Sequence, residues 1–141
     1  MLEDRVIVTE DWIKNTRNQD MAVRFLRAAI KGWIYCRDHP DEAVKIVLRN
    51  APTLGKSHQD WQLNEVNRLI WPSPQGIGMM NAQRWMETAK ISHRYGVTKK
   101  LADRTAYTNE FVKKALESLK DIDTKGMGWK SNLVTLREGG Q

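Results

Sequence analysis

Between positions 20 and 37 the apolar residues Met21, Ala22, Phe25, Leu26, Ala29, Ile30, Trp33 and Ile34 recur at steps of four and one. That spacing puts them on one stripe of a long helix, which must be laid against something else to leave water. Arg24, Arg27, Lys31 and Arg37 fall mainly off the stripe, so the opposite face is expected to be wet and basic. Gly32 costs helix propensity and lies beside the stripe, which predicts close approach of another helix. Pro40 stops this helix and starts the next, because proline fits a first helical turn and disfavours the helical conformation at the residue before it. Asp41 and Glu42 then suit the positive helix end, and Ala43, Val44, Val47 and Leu48 supply a buried face ending near Asn50.

The rest of the chain follows the same alternation of helix and punctuation. The β-branched run Val6, Ile7, Val8, within residues 4–8, predicts a short strand, and Thr9 is a natural cap for a short helix over residues 10–16 with Glu10 and Asp11 in its first turn. After the loop at residues 51–56, Ser57 with Asp60 three positions on predicts a capped helix over residues 58–70 that buries Trp61, Val66, Leu69 and Ile70. Two prolines and two glycines in residues 71–78 require extended or turn geometry. Asn81 restarts a helix through Trp85, Met86, Ala89 and Ser92, closed by Gly96 as a left-handed cap. Thr108 is expected to cap a last helix with Phe111, Val112, Ala115, Leu116 and Leu119 as its stripe, and residues 133–136 read as a second short strand. The expected fold is mainly α: one domain spanning residues 1–141, a compact bundle of about six helices with one or two short terminal strands.

Length agrees with one core, since 141 residues at 40% apolar content suit a single domain. No stretch approaches the roughly 18 apolar residues of a membrane span, and the first five residues lack a signal-peptide pattern, so no membrane insertion and a cytoplasmic location are expected of the chain as written. The single cysteine, Cys36, falls within the long helix and reads as a small apolar residue. A formal charge of +6 would suit an anionic partner, but the cations are spread along the chain, which favours a solvated surface over a nucleic-acid footprint.

Chemical motifs are missing. His39, His58 and His93 have no neighbouring ligand at metal spacing, Gly55-Lys56-Ser57 lacks the earlier glycine of a phosphate loop, and Glu10/Asp11 and Asp41/Glu42 are explained by helix dipoles. No catalytic residue, metal or cofactor is assigned, and no enzymatic activity is expected. Six tryptophans are many for this length, and Trp71 and Trp85 flank the Pro/Gly loop that carries Gln75. Aromatic walls beside a loop hold planar ligands by stacking, so Trp71, Gln75 and Trp85 form the candidate ligand site, against the alternative that the tryptophans only fill the core.

Read together, Thr9-Glu-Asp-Trp-Ile-Lys-Asn15, Arg24-Phe-Leu-Arg-Ala-Ala-Ile-Lys-Gly-Trp33, Asp38-His-Pro-Asp-Glu-Ala-Val44 and Tyr107-Thr-Asn-Glu-Phe-Val112 resemble the closing segment of one family. That family comprises the ABC-importer solute-binding proteins related to the pyrimidine-precursor binder of thiamine uptake, with nitrate, sulfonate and taurine binders as cousins. His39 stands where the family usually has an Asn cap. The resemblance implies part of one lobe of a two-lobed α/β solute-binding protein, truncated relative to the family, a small planar or anionic ligand, and an ABC permease as partner only if the other lobes are supplied. Because such proteins work by closing two lobes on a ligand, autonomous transport activity is not expected. Apolar faces that the family covers with the rest of the lobe imply a homodimer. The alternative is a small helical interaction module, with nucleic acid the less favoured partner.

Overall fold

The computed structural model describes residues 5–137. Among them the chain is mainly α-helical: α1 (Glu10–Lys14), α2 (Thr16–Asp38), α3 (Pro40–Asn50), α4 (Lys56–Ile70), α5 (Ala82–Arg94) and α6 (Glu110–Glu117), with one 3-10 turn at Arg104–Ala106. Tertiary contacts divide the chain into two compact units, where the sequence suggests one. The first combines the described part of Met1–Arg27 with Gly78–Ser118, and the second combines Ala28–Ile77 with the described part of Leu119–Gln141.

In the first unit the Thr9 hydroxyl accepts from the Trp12 amide at 3.2 Å and starts α1, as its cap position predicts. Asn15 then breaks the helix in an extended conformation, and its side chain accepts from the Arg17 amide at 2.9 Å to open α2. Two amide side chains of the new helix reach back to satisfy carbonyls that α1 leaves open: Asn18 donates to Trp12 and Gln19 to Ile13. One residue thus makes a sharp helix-to-helix corner.

Asn81 caps α5 by accepting from the Arg84 amide at 3.0 Å. At the other end Gly96, at φ +71°, donates to the His93 carbonyl while Val97 donates to that of Ser92, the paired closure of a glycine-terminated helix. The Thr108 hydroxyl accepts from the Glu110 amide, but the cap position itself belongs to Asn109. Asn109 instead clasps Met80, accepting from its amide and donating to its carbonyl, both at 2.9 Å. Trp85, Thr88, Ala89, Val112 and Ala115 are the buried residues here, and Gly78 approaches so closely that a Cβ would lie 3.0 Å from Val112.

In the second unit α3 packs on α4. Pro40 opens α3 with Asp41 and Glu42 in the first turn, as predicted, while His39 makes no side-chain cap bond. Ile30, Ile34, Ala43, Val44, Trp71, Ile77 and Leu119 are buried. The segment after α6 has no regular structure, yet residues 123–126 are firmly placed: Ser73 donates to Lys125 at 2.8 Å and Ile77 to Thr124 at 2.9 Å. Further on, the amides of Asn132 and Arg137 donate to the side chains of Asn64 and Ser57.

Several expectations need correcting. Residues 5–8 and 133–136 form no strand; a ladder needs a partner, and Val6, Ile7, Val8 and Leu133 find none among the described residues, while Asp4 lies outside them. Gly32 faces open space. The long stripe is buried only at Ile30 and Ile34, leaving Met21 and Phe25 exposed. Helix α4 begins one residue before Ser57, whose hydroxyl is taken by Arg137. Its buried positions are Ser57 and Asn67, while Trp61 and Leu69 are exposed.

Candidate functional site

The loop that follows α4 is shaped by its own turn chemistry. Ser73 Oγ donates to the Ile70 carbonyl at 2.5 Å, and the Gly76 amide donates to Ser73 across a turn with Pro74 at its second position and Gly76 at φ +95°. Gln75 is exposed at the tip of this turn.

Trp71, also in the second unit, is only 3% exposed. Asn67 accepts its main-chain amide at 2.8 Å and its indole Nε1–H at 3.2 Å. The Arg37 guanidinium lies 4.6 Å from the centre of the indole ring. Gly126 approaches the same indole so tightly that a Cβ would sit 2.6 Å from Cε3. Trp71 is therefore enclosed by protein atoms, and a ligand could stack on it only after moving the guanidinium or the Gly126 turn.

Arg37 was expected on the wet face of α2, but its side chain is 7% exposed. Its Nε donates to Asp38 Oδ1 at 2.6 Å, Nη2 to Asp38 Oδ2 at 3.0 Å and Nη1 to the Asp123 carbonyl at 2.8 Å. The Asp123 carboxylate lies a further 3.5 Å from Nη1. The hydrogen bonds that the guanidinium donates to Asp38, outweighing the cost of burial, raise its pKa further above its already high value. Asp123 is held below the usual carboxylate range, first by the Gly126 amide, then by that of Lys125, with Arg37 adding to both. The sequence carried signals for both partners: Arg37 follows Trp33 by four residues, which continues the buried stripe, and Asp123-Thr-Lys-Gly126 is a turn pattern with Asp first and Gly fourth.

Trp85 belongs to the first unit, so the sequence-predicted residues divide between units, with Trp71 and Gln75 in the other. Its Nε1–H donates to the Asp103 carbonyl at 3.1 Å, Tyr107 lies 5.0 Å away ring to ring, and the Arg5 guanidinium is 4.8 Å from the ring centre. The Asp103 carboxylate accepts from both the hydroxyl and the amide of Thr105, which lowers its pKa. Each tryptophan thus has its N–H satisfied, and neither cluster places a nucleophile beside a base. Burial raises the Cys36 thiol pKa, which keeps it in the less reactive protonated form. Among the described residues no group of three His, Cys, Asp or Glu side chains is arranged to hold a metal ion. No helix of the described chain is long and apolar enough to cross a membrane.

No family model, no curated protein and no solved structure matches this chain.

Proposed function

We propose that the chain is a solute-binding-protein-like domain of the ABC-importer class, supplying helical parts of a ligand-closing lobe and having no transport activity by itself. The observation that supports this reading is local: three of the four family-like motifs coincide with structural corners, and the fourth, Arg24 to Trp33, lies within α2. Thr9 caps α1, Asn15 turns the chain into α2, Pro40 opens α3, and Asn109 clasps Met80 where α6 begins. Motif residues that carry corners are those a related fold would have to keep.

The ligand expected from the resemblance is a small planar or anionic heterocycle. Within the second unit Gln75 is the exposed polar group of the proposed set, on the loop that begins at the buried Trp71. A thermal-shift series with pyrimidines, sulfonates and nitrate tests it, because a ligand that binds only the folded state raises the melting temperature by mass action. A shift with one class that Gln75→Ala reduces is the expected result. No shift with any class at millimolar concentration would remove the solute-binding reading.

The expected partner is a second copy of the chain. Val6, Ile7, Val8, Met21 and Phe25 of the first unit are 56%, 84%, 44%, 43% and 57% exposed, more apolar surface than one short stretch of a monomer usually leaves wet. Light scattering over a concentration series should give the mass of a dimer. Ile7→Ser with Phe25→Ser should return it to a monomer, and a wild-type mass that is monomeric throughout rejects the dimer.

A further inference from the structure

Six cations of this chain pair with a carboxylate three or four residues away: Lys14 with Asp11, Arg24 with Asp20, Lys45 with Glu42, Lys56 with Asp60, Arg68 with Glu65 and Lys114 with Glu110. Residues 90–104 take no part in these pairs. Lys90, Arg94, Lys99, Lys100 and Arg104 form no ion pair among the described residues. The one carboxylate of that stretch, Asp103, is spent on Thr105.

The same stretch exposes apolar side chains that the fold could have covered. Ile91 is 47% exposed, Tyr95 74%, Val97 77% and Leu101 47%. They are not on a loose end, because the paired closure at Gly96 fixes the turn after α5 and His93 Nδ1 lies 3.2 Å from the Thr98 carbonyl. A fixed turn therefore presents Tyr95 and Val97 to solvent between Lys90 and Arg94 on one side and Lys99 and Lys100 on the other.

We infer that residues 90–104 form a docking surface for an anionic phospholipid bilayer. Unpaired cations interleaved with exposed aliphatic side chains match a bilayer interface, where headgroup phosphates take the charges and the acyl boundary takes Val97, Leu101 and Ile91. The long stems of Lys90, Lys99 and Lys100 let the ammonium groups stay at headgroup level while the turn sinks between them. Nucleic acid would reward the charges but gives three aliphatic side chains nothing to bury against, and Tyr95 and His93 are the exposed rings of the stretch. Adsorption to the surface needs no membrane-crossing helix.

Co-sedimentation of the full chain with vesicles tests the inference, comparing phosphatidylcholine alone with an equimolar phosphatidylcholine and phosphatidylglycerol mixture. Binding to the mixed vesicles only, weakening as salt is raised, is expected. Lys99→Gln with Lys100→Gln should lower the partition coefficient by about fivefold per lysine. Val97→Ser with Leu101→Ser should lower it at every salt concentration, and all four positions are exposed, so circular dichroism should be unchanged. A polarity-sensitive fluorophore attached through Val97→Cys in a Cys36→Ser background should shift to the blue on vesicle addition. No binding to mixed vesicles overturns the inference. So does binding that Val97→Ser with Leu101→Ser leaves intact, or a salt-sensitive affinity for DNA through the same lysines without vesicle binding.

Discussion

Asn67 accepts both N–H groups of Trp71, the main-chain amide through its carbonyl at 2.8 Å and the indole through its side-chain oxygen at 3.2 Å. Asn67 is 2% exposed, so the indole bond is made out of water's reach. Asn67→Ala should cost about 1–3 kcal/mol, the penalty for stranding a buried donor. Urea unfolding checks it: the midpoint should fall while the slope is unchanged.

The clasp between Asn109 and Met80 joins positions 29 residues apart through two bonds of one side chain. Asn109→Ala removes both and should destabilise by about 1–3 kcal/mol. Asn109→Asp keeps the acceptor for the Met80 amide but turns an anion toward the Met80 carbonyl, so it should recover none of the loss at neutral pH and part of it once the carboxyl is protonated. Thermal melts of both variants across pH separate these outcomes.

Three glycines separate backbone strain from crowding. Gly128→Ala has open space and no positive φ and should be neutral or stabilising by up to about 1 kcal/mol. Gly96→Ala has open space but φ +71° and should cost about 1–2 kcal/mol. Gly126→Ala has φ +58° and a Cβ 3.0 Å from Arg37 Nη1 as well as against Trp71, so crowding adds about 1–3 kcal/mol. Denaturant midpoints should rank in that order.

Asp123 gives stability a pH dependence whose sign follows from its depressed pKa. Its contribution is present above the unfolded aspartate value of about 4 and is lost as pH falls through the lower folded value. Because the side chain is 60% exposed, solvent screening keeps the effect small. Asp123→Asn should flatten that part of the acid limb in a titration of melting temperature, leaving the neutral region less stable than wild type.

Helix positions were legible because they rest on local signals. Thr9, Pro40, Asn81 and Gly96 act within their own turns, and the structure places them as their residue types dictate. Burial was less legible, because which side of a stripe is covered depends on what arrives from elsewhere. Phe25 and Leu69 carry helical spacing yet remain exposed, while Arg37 is enclosed because Asp123 and Trp71 come to it from 86 and 34 positions away. The predicted strands failed for the same reason, since β-branched residues supply propensity but not a neighbour. For the candidate site, the sequence singled out both tryptophans but not the hydrogen bonds that occupy their N–H groups.

Each unit is assembled from two stretches of chain, and their order has a consequence for synthesis on the ribosome. The first unit needs nothing beyond Ser118, but the second begins at Ala28 and waits for residues from Leu119 onward. Until residues 123–126 emerge, Trp71 lacks Gly126 beside it and Arg37 lacks the Asp123 carbonyl, so an indole and a guanidinium stand uncovered during elongation. A stalled chain ending near residue 120 would expose that pair to chaperones and proteases, and emergence of residues 123–126 would be the event that closes it.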